Sequence, residues 1–157
     1  MSIVLYKNYT AHKKHIAISL IVSIVFLCIG ISIYLLYRIM PPMLIKFCVF
    51  FDIIDSINDL RVVTHGQIYN QFILFSLPDL MWSCASLAFL YGLTIGLQLI
   101  HRIIWSLPLF IASVGTEVAQ GLKILPGTFD LVDLGCYFIS FIAYYLIVYY
   151  YDKIKFS

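Results

Sequence analysis

The feature that most limits what this chain can fold into is a set of apolar runs about as long as a bilayer is thick. Four runs, over about 15–37, 77–100, 103–122 and 129–151, reach the roughly 20 apolar residues that a helix needs to cross hydrocarbon. Inside hydrocarbon the backbone has no water to bond, and a helix satisfies its own N–H and C=O groups. Composition points the same way. With 62% hydrophobic and 11% charged residues, the chain has too little charge to cover a soluble domain of this length. The expectation is an all-α integral membrane protein, one domain over 1–157, with four transmembrane helices and one short interfacial or re-entrant helix.

Lys7, Lys13 and Lys14 precede the first run, as in a signal peptide. The run is too long for a cleaved signal and no small-residue cleavage site closes it, so an uncleaved anchor is expected. Pro41 and Pro42 end the first span, because proline lacks the donor and restricts the residue before it. Over 43–57, Leu44, Phe47, Cys48, Phe51 and Ile54 recur at helical spacing, with Asp52, Asp55, Ser56 and Asp59 on the other side. That pattern is amphipathic and too short to span, which suits a helix lying on the bilayer or re-entering it. The polar stretch 58–71 reads as loop.

The second span opens on Leu77-Pro78-Asp79, proline suiting a first helical turn and aspartate the positive end of the helix dipole. His101-Arg102 reads as the short connection to an antiparallel third span. That third span carries Ala112, Ser113, Gly115, Thr116 and Ala119, residues small enough for close helix approach. Tyrosines crowd the end of the fourth, as interfacial belts do. Neither an internal repeat nor a second domain is visible.

Lysine and arginine bias sets orientation. With the amino terminus inside, six lie on the cytoplasmic side (Lys7, Lys13, Lys14, Arg102, Lys153, Lys155) and four on the other (Arg38, Lys46, Arg61, Lys123). Both termini are therefore expected in the cytoplasm, and the polar residues of the last turns at the outer surface. A formal charge of +2 gives no reason to expect nucleic acid as a partner. Cys28, Cys48, Cys84 and Cys136 are scattered through apolar runs with no metal-type spacing, so packing is their expected role.

Polar chemistry concentrates between 113 and 133. Glu117 and Gln120 stand three apart on one helix face, and Asp130 and Asp133 stand three apart at the start of the next helix, across a loop of about nine residues. Ser113 and Thr116 neighbour the first pair, and Lys123 is within reach of Glu117 in sequence. Ionisable groups at membrane depth are costly and mark function by default. Structural readings stand beside the functional one: Asp130 as an N-cap, Asp133 and Asp79 as dipole complements, and the whole set as interhelical glue. Glu117 is the exception, because the end of a helix disfavours a negative charge.

Familiar catalytic sets are missing, with no GxSxG and no HExxH. His12 and His15 lie among lysines in the amino-terminal tail, and His101 lies at the opposite side. Only His65, in the outer loop, is placed to approach the acids. No cofactor motif occurs.

Glu117-x-x-Gln120, a turn with Pro126-Gly127, and Phe129-Asp130-x-x-Asp133 leading into the last span resemble the VanZ-like membrane proteins, with support from Leu77-Pro78-Asp79 and Trp82. The resemblance covers about residues 108–150. An arginine after the turn and an asparagine after the last aspartate, usual in that family, are replaced here by Gly127 or Thr128 and by Tyr137. The missing arginine removes the obvious ligand for an anion. The resemblance implies a link to teicoplanin-type glycopeptide resistance at the bacterial cell surface, in the cytoplasmic (inner) membrane.

The first reading is a protein that binds an amphipathic or lipid-linked cell-envelope molecule at an outer-leaflet pocket. Glu117, Gln120, Asp130, Asp133, Asp79 and Trp82 would form it, membrane lipids and an envelope precursor would be its partners, and no reaction is assigned. An alternative is an enzyme acting on a membrane lipid or lipid carrier, Glu117 serving as acid or base and the aspartates holding a divalent cation. Another is a non-catalytic helix-packing subunit of an envelope complex. A transporter would need a homo-oligomer, since four spans without a repeat leave no inverted pair.

Overall fold

The computed structural model describes residues 2–38, 40, 42–64 and 70–156, and the regular structure among them is helical. Six α-helices follow in order: α1 Ser2–Tyr37, α2 Pro42–Phe50, α3 Ile54–Thr64, α4 Leu77–Thr94, α5 Leu99–Gly121 and α6 Leu131–Phe156. Four segments are long and apolar enough to cross a membrane, His12–Tyr37, Phe72–Thr94, Leu99–Gly121 and Leu131–Tyr151. Large apolar side chains stay exposed around them, among them Ile21, Ile24, Ile104, Ile111, Ile139 and Ile147. Such a surface is stable only in lipid, and the chain is a multi-pass membrane protein.

The short amphipathic segment is two helices, not one. Backbone bonds from Asp52 N–H to Val49 O (3.0 Å) and from Ile53 N–H to Cys48 O (3.0 Å) close α2 in a Schellman turn, with Asp52 left-handed at φ 54°. Aspartate tolerates that conformation better than most residues, which is why the break falls there. The stretch expected as loop from residue 58 is instead helical to Thr64, with Asp55 in the first turn of α3 and Arg61 in the last, each matching the dipole. Residues 65–69, and the candidate His65 with them, lie outside the described residues. Ile57 of α3 joins Met40 and Cys48 in a small buried cluster against Leu35, Leu44 and Ile54.

Arg61 also ties α3 to the end of the first span. Its Nε donates to Leu35 O at 2.7 Å and its Nη2 donates to Arg38 O, satisfying carbonyls that a helix end leaves without partners. A π-turn over Phe72–Ser76 leads into α4, where Leu77 N–H bonds Phe72 O. Pro78 has no N–H to offer Leu74 O, and the wider turn is a local answer to that missing donor.

Packing of α1 along α4 is the most extensive helix pairing, and α6 packs on both α4 and α5. Small residues make the first contact close: Gly92 faces Ser19, Gly30 faces Trp82, and Ser23 Oγ donates to Ala85 O at 2.8 Å. Leu87, Tyr144 and Val148 form the core between α4 and α6.

The turn between α4 and α5 spans residues 95–98, so His101 and Arg102 belong to α5 instead of forming the connection. Arg102 is fully buried, with its guanidinium 4.7 Å from the Tyr91 ring centroid and 5.6 Å from that of Tyr151. Two aromatic faces take the place of water around this charge, which hydropathy along the sequence does not reveal. Among the helix contacts, Gly30 gives the sharpest test. A Cβ there would lie 2.5 Å from Trp82 Cδ1, so Gly30→Ala is expected to cost about 1–3 kcal/mol and lower the thermal midpoint in detergent. Gly115→Ala enters open space and should leave the midpoint where it is or slightly higher; equal losses would contradict this packing.

Candidate functional site

The carboxyl ends of α1 and α5 and the amino ends of α4 and α6 meet at one end of the bundle. A cleft of about 270 Å³ opens there among α4, α5 and α6. From α4 it takes Asp79, Trp82, Ser83 and Ser86; from α5 Leu109, Ala112, Ser113 and Thr116; from α6 Tyr137. Asp79, Ser83 and Ser86 lie on one helical face, a polar stripe at positions i, i+4 and i+7 of an otherwise apolar span. That stripe was legible in the sequence but easily passed over, because serine carries little weight in hydropathy. Deeper in, Ser83 Oγ and Ser140 Oγ are 2.6 Å apart and buried.

Asp79 is more than a helix-start residue. Its Oδ2 lies 3.9 Å from Arg38 Nη1, a partly exposed ion pair joining the end of α1 to the start of α4. The Arg38 guanidinium also lies over the rings of Tyr34 and Phe75, 5.3 and 5.5 Å from their centroids. Arg38 thus reaches the start of α4 from the end of α1. Nothing local in the sequence signals it, since it depends on how α1 lies against α4.

The acids of the α5–α6 turn divide into separate roles. Glu117 is buried, 5% exposed, and its Oε2 accepts the Asp130 N–H at 3.2 Å. Asp130 Oδ1 accepts the Val132 N–H at 2.7 Å and its own carbonyl accepts the Leu134 N–H, so Asp130 caps α6. In a capping box the acid three residues into the helix bonds the N-cap N–H. Here Glu117, reaching across from α5, supplies that bond in place of Asp133. Asp133 Oδ1 is buried without a hydrogen-bond partner among the described residues.

Among the described residues Gln120 makes no hydrogen bond to Glu117. Its amide lies against Gly127, where a Cβ would come within 2.7 Å of Gln120 Cδ, and Gly127 has φ 135°. Lys123 forms the left-handed residue of a second Schellman turn, φ 59°, with Lys123 N–H to Gln120 O at 2.9 Å and Ile124 N–H to Ala119 O at 2.8 Å. It makes no ion pair with Glu117 among the described residues. Of the residues expected to form one pocket, Asp79 and Trp82 therefore line the cleft beside Ser113 and Thr116, while Glu117, Gln120 and Asp130 build the turn that closes the α5–α6 end. Tyr137 joins the cleft wall from one turn beyond Asp133.

Trp82 faces two ways. Besides the cleft, it borders a groove of about 520 Å³ with Leu27, Ile31, Tyr34 and Leu35 of α1, Leu44, Phe47 and Cys48 of α2, and Ile53. The groove is almost wholly apolar, and its size falls within the usual range of small-molecule pockets, about 300–1,000 Å³. Tyr34 stacks on Trp82 at 6.1 Å between centroids. Among the described residues no group of three or more metal-binding side chains comes together. Comparison with known proteins gives no matching family model, no matching curated protein and no matching solved structure.

Removing the Glu117 acceptor leaves the Asp130 N–H unsatisfied, so Glu117→Ala is expected to cost about 1–3 kcal/mol. Glu117→Gln keeps an accepting oxygen and should cost clearly less. Thermal unfolding of both variants in detergent checks the order; equal stabilities would remove the turn-closing role.

Proposed function

We propose that this chain is a VanZ-like protein of the bacterial cytoplasmic membrane that holds an amphipathic or lipid-linked envelope molecule, its chain in the α1–α2 groove and its head in the polar cleft. The observation that carries the reading is Trp82, which borders both depressions. An aromatic ring suits such a boundary, apolar on its face and able to donate from its N–H. The cleft offers hydroxyls from Ser86, Ser113, Thr116 and Tyr137 and one carboxylate, Asp79. That set fits a hydrogen-bonding head rich in hydroxyl or amine groups.

Both termini are assigned to the cytoplasm and the cleft to the outer leaflet. With Arg102 buried, the loop-charge bias behind this orientation narrows to five against four. A role in teicoplanin-type glycopeptide resistance is the physiological setting that the family resemblance adds.

Native mass spectrometry of the protein extracted with its own lipids tests the reading, wild type beside Trp82→Ala and Asp79→Asn. A distinct envelope lipid retained by wild type, and retained about tenfold less or not at all by the variants, is the expected result, since one lost charge-assisted hydrogen bond is worth ~1.5–3 kcal/mol. The same bulk phospholipids on all three proteins would contradict it and move a helix-packing role to the front.

A further inference from the structure

The polar groups that line the Trp82 cleft are unequal in what they can give a ligand. Asp79 presents a carboxylate, which only accepts hydrogen bonds. Its contact with Arg38 is 3.9 Å, too long for a hydrogen bond, and among the described residues its oxygens accept none. Thr116 Oγ1 commits its proton to Ser113 O at 2.8 Å, so toward the cleft it has lone pairs only. Ser140 Oγ donates to Tyr137 O at 2.8 Å, and Ser83 therefore turns its own proton inward, to Ser140. The Nε1 edge of Trp82 lies against Gly30 of α1. Ser86, Ser113 and Tyr137 keep a hydroxyl proton, but each can accept as well. A ligand rich in donors satisfies this wall, and one rich in acceptors does not.

Charge points the same way. Among the described residues no lysine, arginine or histidine lines the cleft, and the Arg38 guanidinium lies over the Tyr34 and Phe75 rings. Glu117 and Asp133 are near enough for their carboxyl groups to act on both Asp79 and Tyr137. Away from bulk water such charges are felt more strongly than in it. A cation entering the cleft is attracted by Asp79 and by the acids behind it, whereas an anion is opposed. An ammonium group combines the two requirements, since it carries a positive charge, three donors and no acceptor.

We propose that the head bound in the Trp82 cleft carries a primary ammonium group, held by the Asp79 carboxylate on α4 and the Thr116 hydroxyl on α5. The inference rests on the reading that an amphipathic molecule seats its head there, and it narrows the chemistry of that head. Bound in this way, the ammonium group gives Asp79 the hydrogen bond that Arg38 does not, and it bridges two helices that pack sparingly on each other.

Native mass spectrometry of the full chain in detergent tests the assignment with three amphiphiles that share one chain and differ at the head: oleylamine, oleyltrimethylammonium and oleyl alcohol. The amine offers charge and donors, the trimethylammonium charge alone, and the alcohol one donor without charge. Wild type is expected to hold oleylamine about tenfold more tightly than either of the others. Asp79→Asn should reduce the affinity for the amine about tenfold, to near that of the alcohol. Because Asp79 also meets Arg38, Thr116→Val serves as a second variant at an exposed position, and it should weaken the amine severalfold. Either of the other heads bound as tightly as the amine, or an amine affinity unchanged in both variants, would overturn the ammonium assignment. If all three amphiphiles bind alike and Trp82→Ala releases them alike, the amphiphile site stands and the ammonium assignment falls. If none of them responds to Trp82→Ala, the reading beneath it falls too.

Discussion

Taking a carboxylate out of water costs several kcal/mol unless charge or hydrogen bonds replace the lost solvent, and this constraint organises the end of the bundle where α1, α4, α5 and α6 meet. Glu117 is buried and answers the constraint with a backbone N–H, that of Asp130. The bond does two things. It gives the carboxylate a partner and it completes the cap of α6, so the start of the last span is pinned to the end of α5. Asp79 answers differently, with Arg38 at ion-pair distance and partial access to water. The cleft lies beside these two solutions.

From that arrangement follows a division between scaffold and surface. The α5–α6 turn is over-determined by Glu117, the Asp130 cap, the Gln120–Gly127 contact and the Schellman turn at Lys123. Its polar residues hold shape. The cleft hydroxyls of Ser86 on α4 and Thr116 on α5 have little such structural duty; among the described residues Thr116 bonds its own helix backbone, at Ser113 O. Trp82 then connects that polar surface to a groove with almost no polar lining. The amphipathic ligand we propose would satisfy both at once.

Much of the fold was legible from residue pattern, because length and apolarity together leave few choices in a bilayer. Four apolar helices answer to the four runs, although the second lies over Phe72–Thr94 and not 77–100, and Asp130 caps α6 as its position before an apolar helix suggests. Other features turned on contacts between distant segments. Arg102 looked like a loop cation because hydropathy sees a charge and not the two tyrosine rings that cover it. The break at Asp52 reflects a left-handed backbone, which an amphipathic period does not encode. Gln120 sat at the right spacing to serve Glu117, yet its side chain lies over Gly127, since the turn folds back onto the helix end. Arg38 joins Asp79 only because α1 lies along α4.

The most direct test of the central claim, that a single molecule spans groove and cleft at Trp82, is photocrosslinking in cells. A benzoylphenylalanine probe would be placed in turn at Phe47 in the groove, at Tyr137 in the cleft and at Trp105 on the exposed side of α5, and each adduct identified by mass. The account predicts one adduct mass shared by positions 47 and 137 and absent from 105. Different molecules at 47 and 137, or the same bulk phospholipids at all three, would contradict it.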